Sequence, residues 1–264
     1  MPVNGMEMGI RMKDIIISGK DVCKSYVSNG KQNHVLDMIN IDIYQGEFAV
    51  IMGSSGAGKS TLLYSLSGMD KITNGSVYYK GNEISRYKEK KMSDFRANEF
   101  GFIFQQAHLV SNLTLYENVT VTGFQNKKRT SKETKKRAHE LLSKVNISDA
   151  GDRLPSQVSG GEAQRAAIAR AMINDPGIIF ADEPTGALNR KNTHDVLNLL
   201  TQLNEEGQSI LMVTHDIHAA IRATRILYLE DGKIIGEMSL SPYKEEDFKQ
   251  REEQVNAWLT SMEW

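Results

Sequence analysis

The sequence has a single cysteine, Cys23, so no disulfide can form within it. It has no excess of either charge. With 32 basic side chains against 33 acidic ones, the formal net charge is -1, and no overall basic field draws the chain onto nucleic acid. It also lacks any apolar run approaching the roughly 20 residues that span a bilayer; stretches such as 48–52 and 178–181 fall far short. Nothing from Met1 to Asp14 shows the charged-then-apolar order of a secretion signal, and 1–13 has no periodic pattern, which reads as a loose end. These absences point to the cytoplasm, with any membrane role exercised through a partner. A length of 264 residues is ample for a sizeable core.

Against that background one stretch dominates. Residues 53–61, GSSGAGKST, fit GxxxxGK[ST], with an apolar run before and a helix-forming run after, a strand–loop–helix context for phosphate binding. Gly53, Gly56 and Gly58 let the backbone bend until its N–H groups face phosphate oxygens, with Ser54, Ser55 and Ala57 completing the cradle. The helix opened by Lys59, Ser60 and Thr61 aims its positive end at the same point. Lys59 would reach the β and γ phosphates, and Ser60 would offer its hydroxyl to Mg²⁺.

Upstream, strands are expected at 14–17 and 35–44 around a polar turn at 28–33. Tyr26, in this region, either stacks on a purine base or packs as an ordinary strand-end aromatic. Downstream, Gly68 suits a helix C-terminus, Asn74-Gly75 opens a strand over 76–80, and 86–98 reads as a charged helix. The apolar strand 100–104 stops at Gln105, a side chain able to meet a metal-bound water or simply to face solvent. Thr130 and Glu133 make a capping box. The helix it starts carries Lys127, Lys128, Arg129, Lys132, Lys135, Lys136 and Arg137, either a solvated face or a contact for anionic lipid headgroups. Ser159, Gly160, Gly161 and Glu162 open an alanine-rich helix as a second anion site or as plain capping.

The apolar run 177–181 ends in Asp182 and Glu183. Neighbours in a strand point opposite ways, which predicts different tasks: Asp182 on Mg²⁺ and Glu183 polarising the attacking water. A second buried strand over 209–214 ends at His215, either structural or bonded to the γ phosphate or the water. A hairpin around Asp231-Gly232 follows. In the tail from Tyr243, Phe248, Val255, Trp258, Leu259 and Met262 repeat at helical spacing, predicting a helix whose stripe packs on its own domain or, as the alternative, pairs with a second subunit or a partner.

Taken together, Tyr26, GSSGAGKST, Gln105, VSGGEAQR, IIFADEPTG and His215 resemble the ordered motifs of an ATP-binding cassette (ABC) ATPase over about 13–238, and GFIFQQ and LTLYENV are similar to the branch serving macrolide export, lipoprotein release and bacitracin-type peptide resistance. The resemblance implies an α/β fold: a P-loop NTPase core sheet with an N-terminal antiparallel β subdomain and an inserted α-helical subdomain at about 86–165. The nucleotide-binding domain would cover 1–240 and an amphipathic helical tail 241–264. It implies ATP and Mg²⁺ as cofactors, with Tyr26 on adenine, Ser60, Asp182 and Gln105 at the metal and its water, Ser159–Glu162 as the signature, and Glu183 and His215 as the hydrolytic pair. The expected partners are a second copy of the subunit, its signature closing on the other's nucleotide, and an integral membrane permease at the cytoplasmic face of the membrane. A sensor kinase or an extracytoplasmic protein is a candidate further partner, and no nucleic acid is expected. The function implied is ATP hydrolysis driving export of, or resistance to, an amphiphile or antimicrobial peptide; the alternative is ATP-driven signalling through a membrane partner without transport. Two departures from the family pattern are Val158 in place of Leu and Asn189 in place of Asp, the latter bearing on communication between the two sites.

Overall fold

The short apolar runs become the strands of one sheet. In the computed structural model, which describes residues 14–28, 30–126 and 128–262, these are β3 (Phe48–Met52), β6 (Phe100–Phe104), β7 (Ile178–Asp182), β8 (Ser209–Val213), β9 (Arg225–Glu230) and β10 (Lys233–Ser239), ordered β10-β9-β3-β8-β7-β6. The first five run parallel and β10 returns antiparallel to β9. Every residue of β3 and β8 is buried, as strands covered on both faces must be. Alternation sorts their side chains into two cores. Phe48, Val50 and Met52 pack with Leu115, Ile168, Leu200 and Val255, whereas Ala49 and Ile51 pack with Leu62, Leu66, Ile17 and Ile43.

A second sheet, antiparallel, orders β2 (Lys31–Tyr44), β1 (Ile15–Ser28), β4 (Asn74–Tyr79) and β5 (Asn82–Glu83) as β2-β1-β4-β5. Its first two strands run well past the expected 14–17 and 35–44. The register shifts between Gly19 and Lys24, with Asp21 left-handed at φ 48°, and such bulges break the two-residue alternation that marks a strand in sequence. The loose end expected at 1–13 lies outside the described residues.

The helices are α1 (Lys59–Leu66), α2 (Glu89–Glu99), α3 (Leu115–Gly123), α4 (Ser131–Lys144), α5 (Gly160–Met172), α6 (Arg190–Glu205), α7 (Ile217–Ala220) and α8 (Phe248–Ser261). Among the described residues, none is long and apolar enough to cross a membrane. The stretch 86–165 holds α2, α3, α4 and the start of α5, and also β6, the edge strand of the large sheet. Phe95 of α2 meets Tyr79 and Phe100 edge-on at 5.3 and 5.2 Å, tying that helix to both sheets. α4 begins at the expected Thr130–Glu133 capping box. Of its basic residues, Arg129 and Arg137 turn inward to Asp175 and the Ile173 carbonyl, so Lys128, Lys132, Lys135 and Lys136 remain on the exposed side; Lys127 is outside the described residues.

The tail is helical and folds back on its own domain. Val255 and Leu259 of α8 are fully buried, and Trp258 meets Tyr228 edge-on. Within the same stripe lies a cation that the helical spacing had not marked. Arg251, 3% exposed, is satisfied by the carbonyls of Ile221, Ala223 and Ser241.

Candidate nucleotide site

The phosphate loop grows out of β3 under a steric constraint. Gly53 has φ 149°, and a Cβ there would lie 2.0 Å from the Leu229 carbonyl oxygen, so only glycine lets the loop leave the sheet beside β9. Five residues on, α1 starts behind a left-handed Gly58 with no side-chain cap, which leaves its first N–H groups to a ligand. Ser54, Ser55 and Gly56 are exposed at the loop's crest, Ala57 is buried beneath it, and Thr61 is half-buried in the first turn of α1. The Lys59 ammonium folds over the loop, donating to the carbonyls of Gly53 and Ser54 at 2.8 Å each. Burial pulls its pKa down, while Glu183 and Asp182 pull the other way.

Two residues one turn apart on α1 hold one carboxylate. Ser60 Oγ donates to Asp182 Oδ1 at 2.8 Å, and the Tyr64 hydroxyl donates to Asp182 Oδ2 at 2.6 Å. Burial first, and the neighbouring Asp182 second, push Tyr64 far above the usual phenol range, so it stays a donor. The next residue faces elsewhere, but strand alternation is not the reason. β7 ends at Asp182, and Glu183 sits in the left-handed region at φ 48°, its N–H donating to the Val213 carbonyl at 2.9 Å. That turn delivers Glu183 Oε1 to within 2.8 Å of His215 Nδ1. The two acids thus face different partners, and a backbone turn rather than strand alternation divides them.

Gln105 follows directly on Phe104, which pairs with Asp182, and its amide lies so close to Gly186 that a Cβ there would be 3.0 Å from Nε2. The ends of β3, β6, β7 and β8 therefore gather Lys59, Ser60, Asp182, Glu183, His215 and Gln105 at one edge of the sheet. Gln164 braces this edge: it is 1% exposed and donates to the carbonyls of Phe104 and Pro184 at 2.8 Å each.

Tyr26 stands near the end of β1 with its ring half in solvent. Its hydroxyl donates to Asp70 Oδ2 at 2.6 Å, while Lys24 Nζ donates to Asp70 Oδ1 at 2.6 Å and lies 4.6 Å from the centroid of the Tyr26 ring. The phenol is pushed up by burial and then by Asp70. Asp70, despite burial, is held below its ordinary value by Lys24 and Tyr26.

The signature segment is separate. Ser159 and Glu162 close a capping box on each other, Ser159 Oγ donating to Glu162 Oε2 at 2.7 Å, and no hydrogen bond joins them to the phosphate loop among the described residues. Gly160 is exposed, whereas Gly161 is buried so tightly against α6 that a Cβ would meet Asn192 at 2.5 Å. Asn189 proves to be the N-cap of α6, its side-chain oxygen accepting from the Asn192 N–H at 3.0 Å.

Tyr64, Gln164, Lys24 and Asp70 were not found from sequence. Tyr64 was within reach, because it stands four residues after Ser60 on a helix; the Lys24–Asp70 pair, 46 residues apart, had no local signal.

The ABC transporter family model matches residues 36–186. The chain is 42% identical over 220 residues to the bacitracin export ATP-binding protein BceA of Halalkalibacterium halodurans, covering 83% of this chain and 87% of that one. It is 36% identical over 253 residues to the macrolide export ATP-binding/permease protein MacB of Pasteurella multocida, spanning 96% of this chain and 38% of that longer protein. A solved dimeric ATP-binding cassette in a post-hydrolysis state with ADP and Pi superposes with a TM-score of 0.79 at 38% identity, over 86% of this chain and all of that one. With its P-loop, its paired acids and these relatives, the chain belongs to the ABC transporter family, as an ATP-binding ATPase subunit.

Proposed function

We propose that this subunit dimerises around two Mg-ATP and drives a separate membrane permease in the export of, or resistance to, an amphiphilic or peptide antimicrobial. The observation that carries the catalytic part is the Glu183–His215 contact at 2.8 Å beside the Ser60–Asp182 contact at 2.8 Å, both at the edge that presents Lys59. Lys59 exchanges its two carbonyl partners for β and γ phosphate oxygens. The uncapped start of α1 and the loop amides hold the remaining charge. Glu183 accepts a proton from the attacking water, and His215 keeps the carboxylate aimed and bonds the γ phosphate.

The donors at the metal position are the Ser60 hydroxyl and the Asp182 carboxylate, hard oxygens of the kind Mg²⁺ takes when phosphate and water complete its shell. No group of three or more His, Cys, Asp or Glu forms a protein cage among the described residues, which suits an ion held mainly by its nucleotide. Mg²⁺, when bound, neutralises the charge that develops on the phosphates. Tyr64 fixes the far oxygen of Asp182, and the Gln105 amide would hold a water of the metal's shell. Tyr26 supplies a flat face for adenine, and Ser159–Glu162 complete the site of the second subunit. The unit 1–240 carries this machinery, with the tail 241–264 appended.

The dimeric state of the solved relative and the printed names of the two exporters support the assembly and the export reading. Size-exclusion chromatography of Glu183→Gln with Mg-ATP tests the core of it. Hydrolysis should fall by orders of magnitude, nucleotide binding should persist and a dimer should appear. A variant that stays monomeric at saturating ATP in the presence of its permease would overturn the two-subunit site.

A further inference from the structure

The C-terminal helix touches the segment that follows His215. The His215 side chain is 69% exposed, so packing does not fix it, and its position depends on the backbone that follows. That backbone is gripped at several points by α8. Asp216 caps α7 by accepting from the His218 N–H at 2.9 Å. The His218 ring stacks on Phe248 at 5.7 Å and 25°, and its Nε2 lies 3.1 Å from Glu252 Oε1. Phe248 and Glu252 are one helical turn apart, so a single face of α8 receives the ring. Between them Arg251 donates to the carbonyls of Ile221 and Ala223 at 2.8 and 2.7 Å, holding the segment that runs on into β9. An open cleft of about 460 Å³ is lined by Glu183, Gly186 and His215 together with His218 and Glu252, so a carboxylate of the tail borders the same space as the site.

We propose that Glu252 and His218 are positioning residues for hydrolysis, through which α8 holds the His215 segment at the distance Glu183 requires. The proposal rests on the Glu183–His215 reading above. Among the described residues His218 and Glu252 form no hydrogen bond with the phosphate loop or Tyr26, which carry most of the nucleotide contacts, so the effect falls on turnover far more than on nucleotide affinity. Both side chains are partly exposed, at 50% and 34%, so the pair itself carries little global stability.

The test uses the 264-residue chain and three measurements, steady-state ATP hydrolysis, affinity for a fluorescent ATP analogue and thermal midpoint, made on single and double variants. Glu252→Ala and His218→Ala should each lower kcat about three- to tenfold. Nucleotide Kd should stay unchanged and Tm should stay within about 2 °C. The double variant should be no slower than His218→Ala, because that change already removes the contact with Glu252. Glu252→Gln keeps an oxygen that can accept from the imidazole and should recover most of the lost turnover. Unchanged kcat in both alanine variants overturns the proposal, as does a loss of kcat matched by a loss of nucleotide affinity. Glu183→Gln and His215→Ala run alongside. Full turnover in those two would overturn the site reading and this inference together, whereas their inactivity combined with normal Glu252 and His218 variants would overturn this inference alone.

Discussion

At the scale of single residues, charge decides the outcomes. Lys59→Ala removes the one side-chain cation that the loop sends to the β and γ phosphates, and hydrolysis should fall to background in a phosphate-release assay. Asp70 offers a finer test. It ties down the hydroxyl of Tyr26 and keeps Lys24 against the ring, so Asp70→Asn should raise the KM for ATP about three- to tenfold with kcat unchanged. Tyr26→Phe should do the same, and the double variant should add nothing; equal KM in all of them would leave the ring without a part in adenine binding. Burial alone would raise the Asp70 pKa, but Lys24 and Tyr26 bring it below its ordinary value of 3.8. A depressed acid adds stability above its unfolded pKa and loses it as pH falls through its folded one. The Tm difference between wild type and Asp70→Asn should therefore hold at neutral pH and vanish only below about pH 4. Asn189 caps α6, so Asn189→Asp places a charge at a helix N-terminus and should raise Tm by about 1–4 °C. If the departure from the family aspartate weakens communication between sites, the same change also raises turnover and the Hill coefficient for ATP; unchanged values of both would make Asn189 a cap and nothing more.

At the scale of elements, how much could be read from sequence depended on how local the causes were. The buried strands β3, β7 and β8 were legible because each is a short apolar run ending in a polar or glycine residue, and the capping box at Thr130 was legible because donor and acceptor are three residues apart; at Ser159 only the cap was read, and the structure adds the box with Glu162. The β1–β2 ribbon was legible only at one end, since its bulges scramble the alternation. No local pattern could announce that Glu183 turns left-handed, because the bond from its N–H to Val213 is made by a strand 30 residues further on. The tail was legible as a helix, but the buried Arg251 was not, because its three partners are carbonyls that the tertiary fold brings there. Removing α8 by truncation after Pro242 uncovers Val255 and Leu259 and strips those carbonyls of their donor. Each buried aliphatic side chain contributes about 1.5–3 kcal/mol, so Tm should drop by about 10 °C or more by calorimetry. A truncated chain that melts with the full one would reduce α8 to an ornament.

At the scale of the whole molecule, the sheet order has a consequence for synthesis. β3, which launches the phosphate loop, pairs with β8 and β9 and with nothing nearer in sequence; the Phe48 N–H bonds the Thr224 hydroxyl, 176 residues away. Parallel strands so far apart close slowly, because the chain entropy must be lost before any pairing is gained. On the ribosome, β3 therefore emerges with apolar faces and no neighbours, and must wait until the last quarter of the chain has left the exit tunnel. A nascent chain stalled at residue 205 should retain no ATP analogue, whereas release of the full chain should restore retention; a stalled chain that binds would show that the loop organises without its strand partners. Refolding from denaturant should likewise run in seconds rather than milliseconds, with nucleotide retention appearing only in the final phase. The phosphate loop is translated early and becomes competent last, so the cell must keep a half-made ATPase from aggregating for most of the time it takes to build one.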